Sequence, residues 1–168
     1  MKQQIKIFFY NFDEIEKITK EKIVESQNNS FTGYDGTIQL GYNVGASGGY
    51  DRISLNIING YSFNSYFSTG LGVGLRYYPK SEALLIPVFM HLRAHFIDKM
   101  ISPFLSADLG YAFGSAQGVY LCPTLGFSIN FSNKNRLLIG FGYELQNDNS
   151  GYGSYNSNAI LVNIGFSF

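Results

Sequence analysis

His91 and His95 stand four positions apart and precede Ser106 and Asp108, and these are the residue types from which a hydrolytic relay is assembled. Such a relay needs a nucleophile, a base within hydrogen-bond reach of it, and a third group that orients the base. No nucleophile motif flanks either histidine, so catalysis is an alternative here and not the leading expectation. Gly70-Leu-Gly-Val-Gly74 is too closely spaced for a G-x-G-x-x-G phosphate loop and no helix is expected to follow it. The single cysteine, Cys122, has no disulfide partner, and no His/Cys cluster has zinc-ligand spacing. No cofactor or metal is expected. What remains is a set of scattered ions: Arg52, Arg76, Arg93, Asp108 and Glu144, together with the two histidines.

The elements that carry these residues alternate with period two, the pattern of strands with two chemically different faces. In Phe67–Tyr78, Phe67, Thr69, Leu71, Val73, Leu75 and Tyr77 oppose Ser68, Gly70, Gly72, Gly74, Arg76 and Tyr78. Thr37–Gly45, Ile101–Phe113, Val119–Phe131, Leu137–Gln146 and Ile160–Phe168 alternate in the same way, as do the segments near Leu85–Phe96 and, less regularly, Tyr50–Tyr61. Turn residues such as Asn64-Ser65, Asp98-Lys99 and Asn133-Lys134-Asn135 separate them at hairpin intervals. Eight antiparallel strands in up-and-down order therefore read as a closed barrel over 36–168. Every ion named above falls on the face opposite the bulky apolar residues. Residues 1–35 read as an N-terminal extension, with a short amphipathic helix suggested by Ile15, Ile18, Ile23 and Val24, and with Gln27–Ser30 and Gly33–Gly36 as loop.

Composition says which way the two faces turn. Charged residues are 14% of the chain, against about 25% in soluble domains, so a water-facing surface is undersupplied. Twelve basic residues balance twelve acidic ones, and nothing points to nucleic acid. No segment reaches the roughly 20 apolar residues of a membrane helix, but the strands match the about 9 to 11 that cross a bilayer at a tilt. An eight-stranded lumen is only wide enough for side chains. The face rich in Gly, Ser and Asn therefore belongs inside, and the bulky face belongs against lipid. Tyr and Phe gather near strand ends, as at Tyr42, Tyr61, Tyr77 and Phe131, where headgroups suit a ring that is half apolar and half wet.

The glycine-alternating strand Thr69–Tyr78, the hairpin Asn59–Phe67, the segment Ile101-Ser-Pro-Phe-Leu-Ser-Ala-Asp-Leu-Gly-Tyr111 and the terminal Gly165-Phe-Ser-Phe168 resemble the small, porin-like outer-membrane β-barrel domain family of Gram-negative bacteria. The resemblance covers about Gly36 to Phe168. It implies an all-β transmembrane barrel in the outer membrane, with outer-membrane lipid around it and Phe166 and Phe168 as the signal read by the assembly machinery. Members carry a secretory signal, whereas here Lys2, Lys6 and the run Ile7–Tyr10 lead into acidic residues without a small-x-small site, so no signal peptide is read from these residues. The family also hosts lipid-modifying enzymes, which makes lipid the substrate class of the catalytic alternative.

For the ions the expectation is structural: isolated charges in a narrow lumen are costly, so Arg52, Arg76, His91, Arg93, His95, Asp108 and Glu144 should form a paired network, with Arg76 meeting Asp108 or Glu144. Pro87, Pro103 and Pro123 each remove a ladder donor, and bulges or ladder gaps are expected there. The loop Asn147–Asn158, with Asn147, Tyr152 and Tyr155, is the expected surface for an external ligand of unknown kind. The leading function is a noncatalytic, monomeric barrel for envelope integrity, surface contact or partner docking. A small pore, a lipid-modifying enzyme and a soluble lipocalin-like barrel are the alternatives.

Overall fold

The computed structural model of the protein describes residues 32–46, 49–115, 117–131, 135–148 and 155–168. All belong to the unit Phe31–Phe168. The expected helix over 15–24, the reading of the first residues as lacking a signal, and most of the proposed N-terminal extension lie outside the described residues.

Eight long strands form the barrel: β1 Gly33–Ala46, β2 Arg52–Ser62, β3 Phe67–Tyr78, β4 Ala83–His95, β5 Ile101–Gly114, β6 Gly118–Asn130, β7 Arg136–Asp148 and β9 Asn158–Ser167. A two-residue strand, β8 Tyr155–Asn156, pairs with Asn147 and Asp148 at the end of β7. Neighbours in sequence are neighbours in space, and β9 pairs with both β7 and β1 to close the sheet on itself. The seam is finished by reciprocal backbone bonds, Gly36 N–H to Phe168 O at 2.9 Å and Phe168 N–H to Gly36 O at 2.8 Å. Closure leaves no sheet edge to pair with another chain or to expose backbone groups to lipid.

Alternation settles orientation. In β1, Ile38, Leu40, Tyr42 and Val44 are exposed while Thr37, Gln39 and Asn43 are buried. Among the described residues, 24 polar or charged side chains are buried against 11 apolar ones, and the exposed set is dominated by Leu, Ile, Val, Phe and Tyr. A lipocalin-like barrel requires the reverse, since its apolar face must line the cavity, so that alternative is overturned. The outer surface is one that only lipid can cover. Aromatic side chains band it near the end that holds both barrel termini, where Tyr61 packs edge-on against Phe63, Phe63 stacks on Phe67, and Phe168 touches Tyr34 and Phe166. Tyr111 and Phe113 pack together towards the opposite end.

One expectation needs correction and another is met in part. Gly33–Gly36 are strand, paired with Asn59–Ser62 of β2, so the barrel starts earlier than Gly36 and Asp35 belongs to the lumen instead of a linker. The prolines produce gaps but no bulges: the register of every barrel ladder stays constant along its length. Pairing lapses between Val73↔Val88 and Arg76↔Leu85 beside Pro87, and between Leu121↔Leu145 and Thr124↔Gly142 beside Pro123. Each of these prolines keeps its pairing on the other side, with Ala112 and Ala107 respectively. Pro103 leaves no gap in its ladder with β6.

Candidate functional site in the barrel lumen

Lumen side chains are set by strand parity and by the stagger of the ladders, so residues far apart in sequence arrive at one height. Towards the end opposite the barrel termini, Glu144 is fully buried and is met from four strands, the longest contact being Tyr120 Oη on β6 at 3.4 Å. Arg52 on β2 donates from Nε to its Oε1 at 2.9 Å, and Arg52 Nη2 lies 2.8 Å from the same oxygen. Arg76 on β3 donates from Nε to Oε2 at 3.0 Å, and Asn43 on β1 donates from Nδ2 to Oε2 at 3.0 Å.

The remaining guanidinium donors are also engaged. Arg76 bonds Asn56 Oδ1 and Tyr120 Oη, both at 2.7 Å, while Arg52 bonds Ser157 Oγ at 3.1 Å and Ser157 O at 3.2 Å. Arg52 lies over the Tyr78 ring and Arg76 over the Tyr120 ring. A buried carboxylate with two cations is costly to desolvate and strongly destabilising to break, so this cluster behaves as one unit.

At mid-height His91 and Asp108 are cross-strand partners on β4 and β5, with Nδ1 and Oδ1 2.5 Å apart. Nearer the barrel termini, Asp35 accepts from Ser62 Oγ at 2.9 Å, from Thr37 Oγ1 at 3.4 Å and from Ser167 Oγ. Arg93 Nη1 approaches Asp35 only to 3.9 Å. Arg136 Nη1 donates to His95 Nε2 at 2.9 Å, which leaves the His95 proton on Nδ1, 3.3 Å from Ser128 Oγ. The lumen thus holds two charge clusters with a histidine–aspartate pair between them.

All seven ions and histidines expected in the lumen are buried there. Of the two acids considered for Arg76, Glu144 is its partner, while Asp108 pairs with His91. Asp35 and Arg136 are lumen ions that the sequence reading missed. Asp35 shares the parity of Thr37, Gln39 and Asn43, and Arg136 that of Leu138 and Glu144, which was the available signal. Large inward rings were also underrated. Phe89 packs against Tyr120 and fills the space over Gly72, and Phe104 packs against His95 and over Gly126.

His91 and Asp108 form the base-and-orienter half of a relay, yet Ser106 faces Arg93 across the β4–β5 ladder, and His91 Nε2 has no protein partner. Among the described residues no group of three or more His, Cys, Asp or Glu could hold a metal. Of the expected recognition loop, Asn147 ends exposed on β7 and Tyr155 enters β8, whereas Tyr152 lies outside the described residues. Phe166 and Phe168 are exposed on the outer face at the closing seam.

No protein-family model matches the chain, and no curated protein does. Solved structures do. Neisserial surface protein A superposes with a TM-score of 0.65 at 14% identity, over 82% of this chain and 96% of that one. The N-terminal β-barrel domain of Pseudomonas aeruginosa OprF gives 0.51 at 15% identity, over 82% and 99%. The outer membrane enzyme PagL gives 0.51 at 11% identity, over 79% and 98%. These likenesses establish the fold: the chain is a small eight-stranded barrel of the outer-membrane type.

Proposed function

We propose that this outer-membrane-type barrel is a noncatalytic, monomeric integral protein of the Gram-negative outer membrane whose lumen is sealed and whose work is done by its outer surfaces. The carrying observation is the Glu144 cluster, in which strands β1, β2, β3 and β7 are tied together across the lumen by buried hydrogen bonds. A path for ions or solutes would need that network to part, at a cost of about 3 to 5 kcal/mol for a broken buried pair. The sealed barrel instead supports a rigid platform, with Asn147–Asn158 at the end opposite the barrel termini as its contact surface for an external partner. Phe166 and Phe168, exposed at the seam, suit recognition by the assembly machinery.

Proteoliposome swelling in small sugars and salts tests this reading. Protein-loaded vesicles should swell no faster than empty ones, and solute-dependent swelling would favour the small pore. Among the described residues, the His91–Asp108 pair is the feature that favours a lipid-modifying enzyme. Incubation with labelled lipopolysaccharide and phospholipid should leave every acyl chain in place, and release or transfer of one would replace the noncatalytic reading.

A further inference from the structure

The donors of the lumen arginines are not equally met. Among the described residues the buried ions are Arg52, Arg76, Arg93 and Arg136 with Asp35, Asp108 and Glu144. Glu144 holds Arg52 and Arg76, and Asp108 is taken by His91. Arg136 donates to His95. Asp35 accepts from three hydroxyls and forms a long ion pair with Arg93, whose Nη1 lies 3.9 Å from Oδ2. Arg93 is 1% exposed, and its Nε and Nη2 have no protein partner.

Its surroundings have the character of a ligand shell. The two residues directly across the ladders from Arg93 are Ser68 on β3 and Ser106 on β5, both buried and both directed inward. Ser68 Oγ is likewise without a partner, as is Nε2 of His91, one inward position further along β4. Beside them the inward positions of β2 and β3 are Gly60 and Gly70, a direct cross-strand pair that places no side chain in the lumen. Unanswered donors of a buried cation, flanking hydroxyls and a stretch of wall without side chains occur together at one place. Asp35 answers only Nη1 of this guanidinium, so its Nε and Nη2, so far from water, need acceptors, and a small anion supplies acceptor capacity for each idle donor.

We propose that Arg93, with Ser68 and Ser106 on either side, binds a small inorganic anion of chloride size inside the lumen. The anion accepts from Arg93 Nε and Nη2 and from the Ser68 hydroxyl. The site depends on the inward placement of these residues and not on whether the barrel conducts or catalyses.

The test uses the full chain folded in detergent, with thermal unfolding followed in sodium chloride, in sodium bromide and in sodium gluconate at equal ionic strength, gluconate being too large to enter. Chloride and bromide should raise the unfolding midpoint in a saturable manner and gluconate should not. Ser68→Ala, which keeps the charge and the fold, should raise the half-saturating halide concentration by about tenfold, the loss of one hydrogen bond to a charged group. Arg93→Gln should remove the halide response. Crystals grown in bromide should show an anomalous peak within hydrogen-bond distance of Arg93 Nε and Nη2. Equal midpoints in all three salts, or a halide response that survives unchanged in both variants, would overturn the proposal and leave water as the partner of Arg93.

Discussion

Arg76 and Glu144 stand on β3 and β7, four strands apart in the closed order and so on opposite walls of the barrel, and they meet across its whole width with Nε 3.0 Å from Oε2. A bond that spans a diameter resists two motions at once, ovalling of the barrel and sliding of one wall past the other. Because Arg52 and Asn43 share the same carboxylate, the strain of either motion falls on a network and not on one contact.

Removing the carboxylate should therefore be costly out of proportion to the size of the change. Glu144→Gln keeps the volume but leaves Arg52 and Arg76 buried without a counter-charge, and the expected loss is about 3 to 5 kcal/mol. Denaturant unfolding in detergent, or the temperature at which the folded band disappears on a heat-modifiability gel, measures it. A shift indistinguishable from that of an exposed lumen-end substitution would mean the network does not hold the barrel.

Packing in the lumen should be equally specific around Gly72. A Cβ built there would run into the Phe89 ring, which packs against Tyr120. Gly72→Ala should destabilise by about 1 to 3 kcal/mol through overpacking, and Phe89→Leu in the same chain should recover part of that. The double variant read against the two singles checks the coupling, and simple additivity would show that the two sites are independent.

The outward face should refuse charge. Val73, midway along β3 and exposed on the bulky side, becomes a lipid-facing cation in Val73→Arg, with an expected penalty of about 2 to 4 kcal/mol at the bilayer midplane. Folding efficiency into vesicles of defined thickness reports it. Indifference to the change would contradict the membrane orientation, because a water-facing arginine costs almost nothing.

Closure should depend on the last residue. Phe168 is bound to Gly36 through both backbone groups, and a Cβ on Gly36 would lie 2.8 Å from the Phe168 ring. Deleting Phe168, or making Gly36→Val, should slow barrel folding and lower the yield of folded protein in the outer membrane. Unchanged folding of both would remove the seam from the list of steps that matter.

How much of this could be seen in the residues themselves depends on which physical feature had to be known. Strand parity follows from side-chain period alone, so Arg52, Arg76, His91, Arg93, His95, Asp108 and Glu144 could be assigned to one face from alternation. The choice between Asp108 and Glu144 as the partner of Arg76 needs the height of each residue in a staggered barrel, and stagger is a property of closure that no single strand carries. Asp35 was hidden for a different reason. Gly33-Tyr-Asp-Gly36 has turn composition, and pairing with β2 overrides it. Arg136 was lost because a strand that begins beside Asn133-Lys134-Asn135 has no local mark of where the turn ends. The large inward rings Phe89 and Phe104 follow from complementarity with Gly72 and Gly126 on neighbouring strands, which becomes visible only once the register is known.

Recording in planar bilayers tests the sealed lumen most directly. The wild-type barrel should insert without conductance steps, while the triple variant Arg52→Ala, Arg76→Ala, Glu144→Ala, which deletes the bridging side chains and leaves no buried charge of that cluster behind, should open discrete steps at the same protein concentration. Steps from the wild-type protein, matched by those of the triple variant, would contradict a lumen closed by the Arg52–Arg76–Glu144 network.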